Sequence, residues 1–160
     1  MKIREVRDNE FIKVLELVKR CRPLEVYPGH LYKIIFRYFK DLCIVAEVEG
    51  QFIGFAMGFS AQNPDKTCFL WQIGVNPKIQ AKGMGKELVA YFEKKVKSLG
   101  YNRIELTVDL ENIPSQKLFE KLNYKNSSKK EGTIISKDSK SAVKDFYGPG
   151  RHFIVYTKTL

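Results

Sequence analysis

Hydrophobic positions change their spacing several times along the chain, and each change marks an element. Residues 2–6 read as a short strand, and Asp8 stands where it can cap a helix over 9–19 whose Phe11, Val14, Leu15 and Val18 share one face. Pro23 ends that helix. After an irregular stretch over 24–29, residues 31–40 form a second amphipathic helix with an aromatic stripe. Residues 42–48 and 52–59 flank Glu49-Gly50-Gln51 as a hairpin, and 62–66 supply the next turn. The apolar, aromatic run from Cys68 to Val75 is strand-like, and Glu87 to Leu99 is helical, with Leu88, Phe92, Val96 and Leu99 on one face. Arg103 to Val108 alternates as a half-buried strand. Asn112 and Pro114 then open a helix with Leu118, Phe119 and Leu122 as its stripe. Residues 126–144 lose clear pattern and read as a long hairpin loop with a short strand at 133–135, while 151–160 return to strand composition and close the sheet. The strand, loop, helix, strand order over 68–108 is a right-handed crossover, so its two strands are expected to be parallel neighbours in an α/β (α+β) fold with a mixed sheet.

Candidate chemistry concentrates at the start of the third helix. Gln80-Ala81-Lys82-Gly83-Met84-Gly85-Lys86 is a glycine-punctuated turn into a helix N-terminus, where unpaired amides and the helix dipole favour an anion and Lys82 and Lys86 add positive charge. It fits neither common phosphate loop. A P-loop needs a hydroxyl where Glu87 stands and a glycine at position 80, and a dinucleotide loop needs a third glycine where Leu88 stands, although Glu105 has the spacing of a ribose-binding acid. A plain tight turn remains an alternative.

The segment that follows separates these readings. The loop, set after Val75-Asn76-Pro77, together with Val108, Asn112, Ser115 and Phe119-Glu120-Lys121-Leu122-Asn123-Tyr124, resembles the paired motifs of the GCN5-related N-acetyltransferases. The resemblance is tight over 69–124, with two departures. Phe119 stands where the family often has a tyrosine that protonates the departing thiolate, and Asn123 replaces a glycine.

The resemblance implies a central, mostly antiparallel sheet of six to seven strands flanked by about four helices, with parallel strands four and five splayed. It implies acetyl-CoA as the cofactor, its pyrophosphate on Gln80, Ala81, Lys82, Gly83, Met84, Gly85 and Lys86, and its pantetheine arm along Ile73 and Val75, faced by Asn112, Ser115 and Phe119. The reaction implied is direct attack by an acceptor amine in a ternary complex, with the Ile73 amide as oxyanion donor. The base is left open among Glu105, Glu25, Asp109 and Glu47, and the acid among Tyr27, Tyr32 and Tyr156. A narrower likeness, carried by Pro23-Leu24-Glu25 and Phe69-Leu70-Trp71-Gln72-Ile73, points to the diaminobutyrate acetyltransferases of ectoine synthesis. By it Glu25 pairs with the acceptor's ammonium group and Trp71 walls the pocket, with ordinary core an equal alternative for Trp71; Tyr27 and Tyr32 are further candidates for the acceptor side, while Arg151-His152-Phe153 stands where those enzymes are acidic. Peptide N-termini, protein lysines and a non-catalytic binding module are the alternatives.

Composition sets the outer bounds. At 160 residues, with 44% hydrophobic and 29% charged positions, one domain over 1–160 is expected. No apolar run approaches the ~18 residues of a membrane helix, and the charged start is unlike a signal peptide, so a cytoplasmic protein without a membrane partner is expected. Cys21, Cys43 and Cys68 are widely spaced and expected to be reduced, and with His30 and His152 as the two histidines no metal site is expected. The net charge of +10 does not demand nucleic acid, since the basic residues are spread without a reading motif and also suit a polyanionic cofactor. A small-molecule amine is the expected partner, with a homodimer left open.

Overall fold

The computed structural model describes residues 1–62, 66–79 and 83–160. The strands are β1 (Lys2–Glu5), β2 (Cys43–Val48), β3 (Gln51–Ser60), β4 (Thr67–Val75), β5 (Arg103–Asp109), β6 (Lys125–Asn126), β7 (Ile134–Lys137), β8 (Lys140–Val143) and β9 (Phe153–Thr159). The helices are α1 (Phe11–Val18), α2 (Gly29–Tyr38), α3 (Met84–Ser98) and α4 (Ile113–Lys121). The strands form one sheet in the order β1-β2-β3-β4-β5-β9-β8-β7, with β6 beside β9, and β4 and β5 are its parallel pair.

Two apolar layers sandwich this sheet. On one face, Val14, Leu17 and Val18 of α1 and Tyr32, Ile35 and Phe36 of α2 pack on Val45, Phe55 and Met57. On the other, Leu88, Phe92 and Val96 of α3 and Phe119 of α4 cover Ile44, Ala56, Leu106 and Val108. Close packing of α3 depends on glycine at 58, where a Cβ would lie 2.5 Å from the Phe69 carbonyl oxygen and 2.7 Å from the Phe92 ring. The three cysteines are free and buried. Among the described residues no helix is long and apolar enough to cross a membrane.

Several sequence expectations need correction. The described sheet has nine strands rather than six to seven, because 126–144 is not mainly loop: β7 and β8 pair there from Ile134↔Val143 to Lys137↔Lys140. The turn between them is Asp138-Ser139, both with positive φ, a conformation that short polar side chains tolerate. Asp8 does not cap α1. Glu10 instead accepts from the Arg7 amide at 2.8 Å and pairs with Arg4, while Asp8 pairs with Lys33 at 3.2 Å. The helix α3 starts at Met84, three residues before the expected position, because Gly83 at φ 101° turns the chain into it, and Leu99 falls outside the helix with 37% exposure. Asn123 takes the left-handed conformation at φ 65°. Residues 63–65 of the expected 62–66 turn lie outside the described residues.

Candidate active site

The site is built on the place where β4 and β5 part. Their pairing covers Thr67↔Arg103, Cys68↔Ile104 and Phe69↔Glu105 and goes no further, although both strands continue. On its other edge β4 remains paired with β3 as far as Gly54↔Val75. The Asn76 amide donates to the Ile53 carbonyl at 2.8 Å, and hydrogen-bonded and non-hydrogen-bonded pairs alternate in an antiparallel ladder. Ala56↔Ile73 and Gly54↔Val75 are therefore non-hydrogen-bonded pairs, and the peptide groups of Ile73 and Val75 point away from β3 into the gap beside β5.

A bulge tunes the same stretch. The register slips between Met57↔Gln72 and Gly58↔Leu70, leaving Trp71 as the extra residue. Leu70 and Ile73 pack with the α3–α4 layer, whereas Trp71 packs with the α1–α2 layer and Gln72 Oε1 accepts from that layer's Tyr32 hydroxyl at 3.3 Å. Two successive side chains thus face the same side, and Trp71 and Gln72 both wall the chamber under the α1–α2 connection.

A cavity of about 540 Å³ follows the gap. Toward α4 its walls include Ile73, Asn112, Ser115 and Phe119, and toward the α1–α2 connection they include Glu25, Tyr27, Trp71, Tyr147, Arg151 and Phe153. It joins the two faces of the sheet where neighbouring strands leave room.

The wall under the α1–α2 connection is held by a polar network. Gln72 Nε2 donates to the Glu25 carbonyl at 2.7 Å and the Tyr27 amide donates to the Tyr32 hydroxyl at 3.3 Å, which fixes the connection to β4 and α2. Glu25 Oε2 accepts from the Tyr27 hydroxyl at 2.9 Å and from Arg151 Nη2 at 2.7 Å. Arg151 is delivered by the segment between β8 and β9. There the Asp145 carboxylate accepts from the Gly150 amide at 2.7 Å, and His152 Nδ1 accepts from the Asp145 amide at 3.0 Å. The guanidinium then lies 5.8 Å from the Tyr147 ring centre and 5.7 Å from that of Phe153, and Tyr147 is tied to Thr107 of β5 by a 3.0 Å hydroxyl pair.

These contacts set the charges. The Arg151 guanidinium, with a smaller contribution from the Tyr27 hydroxyl, holds the Glu25 carboxyl below the usual carboxylate range despite the opposing effect of burial. Burial first, and then Glu25, push the Tyr27 phenol up to about 12. Glu25 is therefore an anion and Tyr27 a neutral donor at neutral pH. The Tyr27 and Tyr32 rings stand 5.2 and 5.7 Å from Trp71.

On the other side of the sheet, Asn112 caps α4, its side-chain oxygen accepting from the Ser115 amide at 3.3 Å. The helix α3 begins nearby. The first intrahelical bond runs from the Glu87 amide to the Gly83 carbonyl, so the amides of Met84, Gly85 and Lys86 precede the helical ladder and have no i−4 acceptor within it. Among the described residues, nothing would lie within 4 Å of a Cβ at Gly83, which leaves this backbone open to approach from them. A Cβ at Gly85 would lie 3.3 Å from Leu118, so this glycine also sets how closely α3 and α4 pack. Gln80, Ala81 and Lys82 lie outside the described residues.

The structure brings together Glu25, Tyr27, Trp71, Ile73, Asn112, Ser115 and Phe119 in one cavity, with Asp109 at its wall. Tyr32 is fully buried behind Trp71 and Gln72 rather than at the cavity surface. Glu105 is outside the lining residues and pairs with Arg103 at 3.2 Å. Glu47 is bound to Arg4 across β1 and β2, and the Tyr156 hydroxyl donates to Glu120 at 2.8 Å. Phe119 is buried against Tyr124 and Tyr156. Sequence reasoning missed Gln72, Thr107, Tyr147 and Arg151. The Arg151–Glu25 contact spans 126 residues, and no local spacing announces it.

Comparison with known proteins gives this geometry a family. The model of the acetyltransferase (GNAT) family matches residues 11–124. The L-2,4-diaminobutyric acid acetyltransferase of Chromohalobacter salexigens is 33% identical over 121 residues, 75% of this chain and 63% of that enzyme. The enzyme of the same name from Halomonas elongata is 32% identical with the same coverage. The chain thus spans 63% of the length of these curated relatives. Among solved structures, the fold is shared with diaminobutyrate acetyltransferase from Paenibacillus lautus, in complex with its substrate L-2,4-diaminobutyric acid and coenzyme A. That comparison has a TM-score of 0.73 and 23% identity, covering 97% of this chain and 93% of the other. The fold is likewise shared with the ribosomal-protein-S18-alanine N-acetyltransferase of Escherichia coli, at a TM-score of 0.72 and 16% identity over 99% and 92% of the two chains. From the matched family model and the split sheet it covers, the chain belongs to the acetyltransferase (GNAT) family.

Proposed function

We propose that this protein is an acetyl-CoA-dependent N-acetyltransferase that acts on a primary amine of a small, diaminobutyrate-like amino acid. The observation that carries the reading is the cavity through the β4–β5 gap, which joins a wall of backbone amides and a helix cap to a separate aromatic chamber bearing one anionic carboxylate. The identity with diaminobutyric acid acetyltransferases supports the acceptor class.

The residues present fit the cofactor. The outward peptide group of Ile73 and the Val75 amide offer the pattern of a strand edge to an amide-containing pantetheine arm, while the Val75 carbonyl also accepts from the Cys21 thiol at 3.4 Å. Gly83, Met84, Gly85 and Lys86 offer an open, positively polarised helix start to a pyrophosphate, with Gln80, Ala81 and Lys82 assigned to the same role from the motif. Asn112, Ser115 and Phe119 wall the same side. When bound, acetyl-CoA supplies an activated thioester acyl group.

The chain's own residues then act as follows. Glu25, held as an anion, binds an ammonium group of the acceptor, and Tyr27 and Trp71 shape the chamber around its carbon chain. A carboxyl held that low is matched to binding a cation rather than to taking a proton near neutral pH. The amine to be acetylated therefore enters as its neutral form, and Asp109 is the other carboxylate at the cavity wall: its Oδ1 accepts from the Glu111 amide at 2.8 Å, and its second oxygen is the acceptor offered to the proton released after attack. The Ile73 amide, aimed into the gap, donates to the carbonyl oxygen as negative charge develops there. Phe119 has no hydroxyl, and the Tyr27 phenol, pushed up to about 12, is a poor acid, so neither is assigned the thiolate's proton.

Incubation with acetyl-CoA and a panel of amines, read by a thiol reagent, tests this proposal. Release of coenzyme A dependent on a short diamino acid is expected. Acetyl-CoA binding without amine-dependent release across the panel overturns it.

A further inference from the structure

The proposed acceptor chamber contains a second charge that amine recognition alone does not require. Arg151 and Glu25 stand side by side at the outer rim, 44% and 47% exposed, with a 2.7 Å bond between them. Glu25 uses only Oε2 in its bonds to Arg151 and Tyr27, and Oε1 has no hydrogen bond among the described residues. The bond to Glu25 takes one of the five N–H donors of the guanidinium. The Tyr147 and Phe153 rings and the Asp145-centred turn hold that guanidinium in place, so its position does not depend on Glu25 alone.

Resting on the acetyltransferase reading, we infer that the Glu25–Arg151 pair is a receptor for the ammonium and carboxylate of one α-amino acid head, and that Arg151 selects amino acids over simple amines. The two charges of the pair are as close as those of an α-amino acid, so such a head docks with its ammonium on Glu25 Oε1 and its carboxylate on the guanidinium's unused fork. The side-chain amine is then the one directed past Trp71 toward Ile73. A diamine without a carboxylate leaves the guanidinium without an anion in exchange for the share of Glu25 it gives up. Its binding is weaker by one charge-assisted contact.

Trp71 is the single tryptophan and lines the chamber, so its fluorescence reports binding independently of turnover. The ligands to compare, in the presence of coenzyme A, are L-2,4-diaminobutyrate and its decarboxylated counterpart 1,3-diaminopropane. Wild-type protein is expected to bind the amino acid roughly 10- to 100-fold more tightly. Arg151→Gln is expected to collapse that ratio by weakening the amino acid while leaving the diamine within about threefold, and Arg151→Lys to restore part of it. An unchanged ratio in Arg151→Gln, equal weakening of both ligands, or no binding of either by the wild type overturns the assignment. Selective binding with no coenzyme A released from acetyl-CoA leaves the receptor standing and overturns the acetyl-transfer reading instead.

Discussion

Arg151 donates to Glu25 across 126 residues of sequence at 2.7 Å, closing the segment before β9 over the α1–α2 connection. The contact joins two chain segments that wall the cavity. It also lowers the Glu25 carboxyl further below the usual carboxylate range.

Replacing Glu25 with Gln should raise KM for the amine roughly 10- to 100-fold while changing kcat little, because a binding anion is lost rather than a proton acceptor. Steady-state kinetics separate the two. A large fall in kcat at unchanged KM would mark Glu25 as the base.

The pH dependence has a definite sign. The Glu25 carboxyl is depressed in the folded protein, so the stability its pairing adds is fully present above the unfolded-state value near 4.3 and is lost as pH falls through the lower folded value. Between pH 6 and 9 the rate should therefore rise with the fraction of neutral acceptor amine and show no limb from Glu25. The wild type and Glu25→Gln should give pH–rate profiles of the same shape over that range.

Tyr27→Phe removes the donor to Glu25 but keeps the ring against Trp71. A loss of roughly 3- to 10-fold in kcat/KM is expected, the scale of one ordinary net hydrogen bond, because this bond orients Glu25 at an exposed rim and does not touch the reacting atoms. A loss above about 1000-fold, beyond one such bond and on the scale of general acid catalysis, would instead give Tyr27 the acid's role.

Gly85 carries two duties that a compensated pair can separate. Gly85→Val should lower both thermal stability and acetyl-CoA affinity, because its side chain meets Leu118 and covers the helix start. Adding Leu118→Ala should recover part of the lost stability without recovering cofactor affinity. Melting curves and cofactor titration read the two effects, and joint recovery would remove Gly85 from the phosphate site.

Gly58→Ala tests the packing of α3 on the sheet. With its Cβ placed 2.5 Å from a carbonyl oxygen, it should destabilise the fold by about 1–3 kcal/mol in urea unfolding.

The parts of this architecture set by local pattern were legible in the sequence. The crossover from β4 through α3 to β5, the Asn112 cap and the left-handed Asn123 all depend on spacing or on one residue's backbone preference. Trp71 read equally well as core or pocket wall, because a bulge decides it and a bulge depends on the partner strand's register. The β7–β8 hairpin was obscured because its strands are four residues each and rich in Lys and Ser, whose polarity suits an edge as well as a loop. Arg151 and Tyr147 were invisible as site residues because only the closed sheet brings them to Glu25 and Thr107. Glu105 shows the converse. Its spacing and its place on a strand beside the gap recommended it, yet it points into a pair with Arg103 below the opening.

The most direct test is a single reaction of the protein with acetyl-CoA and L-2,4-diaminobutyrate, following coenzyme A release and the mass of the amino acid together. One coenzyme A released per amino acid gaining one acetyl group is expected, with no release when the amine is omitted. Acetyl-CoA bound at the β4–β5 gap with neither product formed, for this or any other small primary amine, would contradict it.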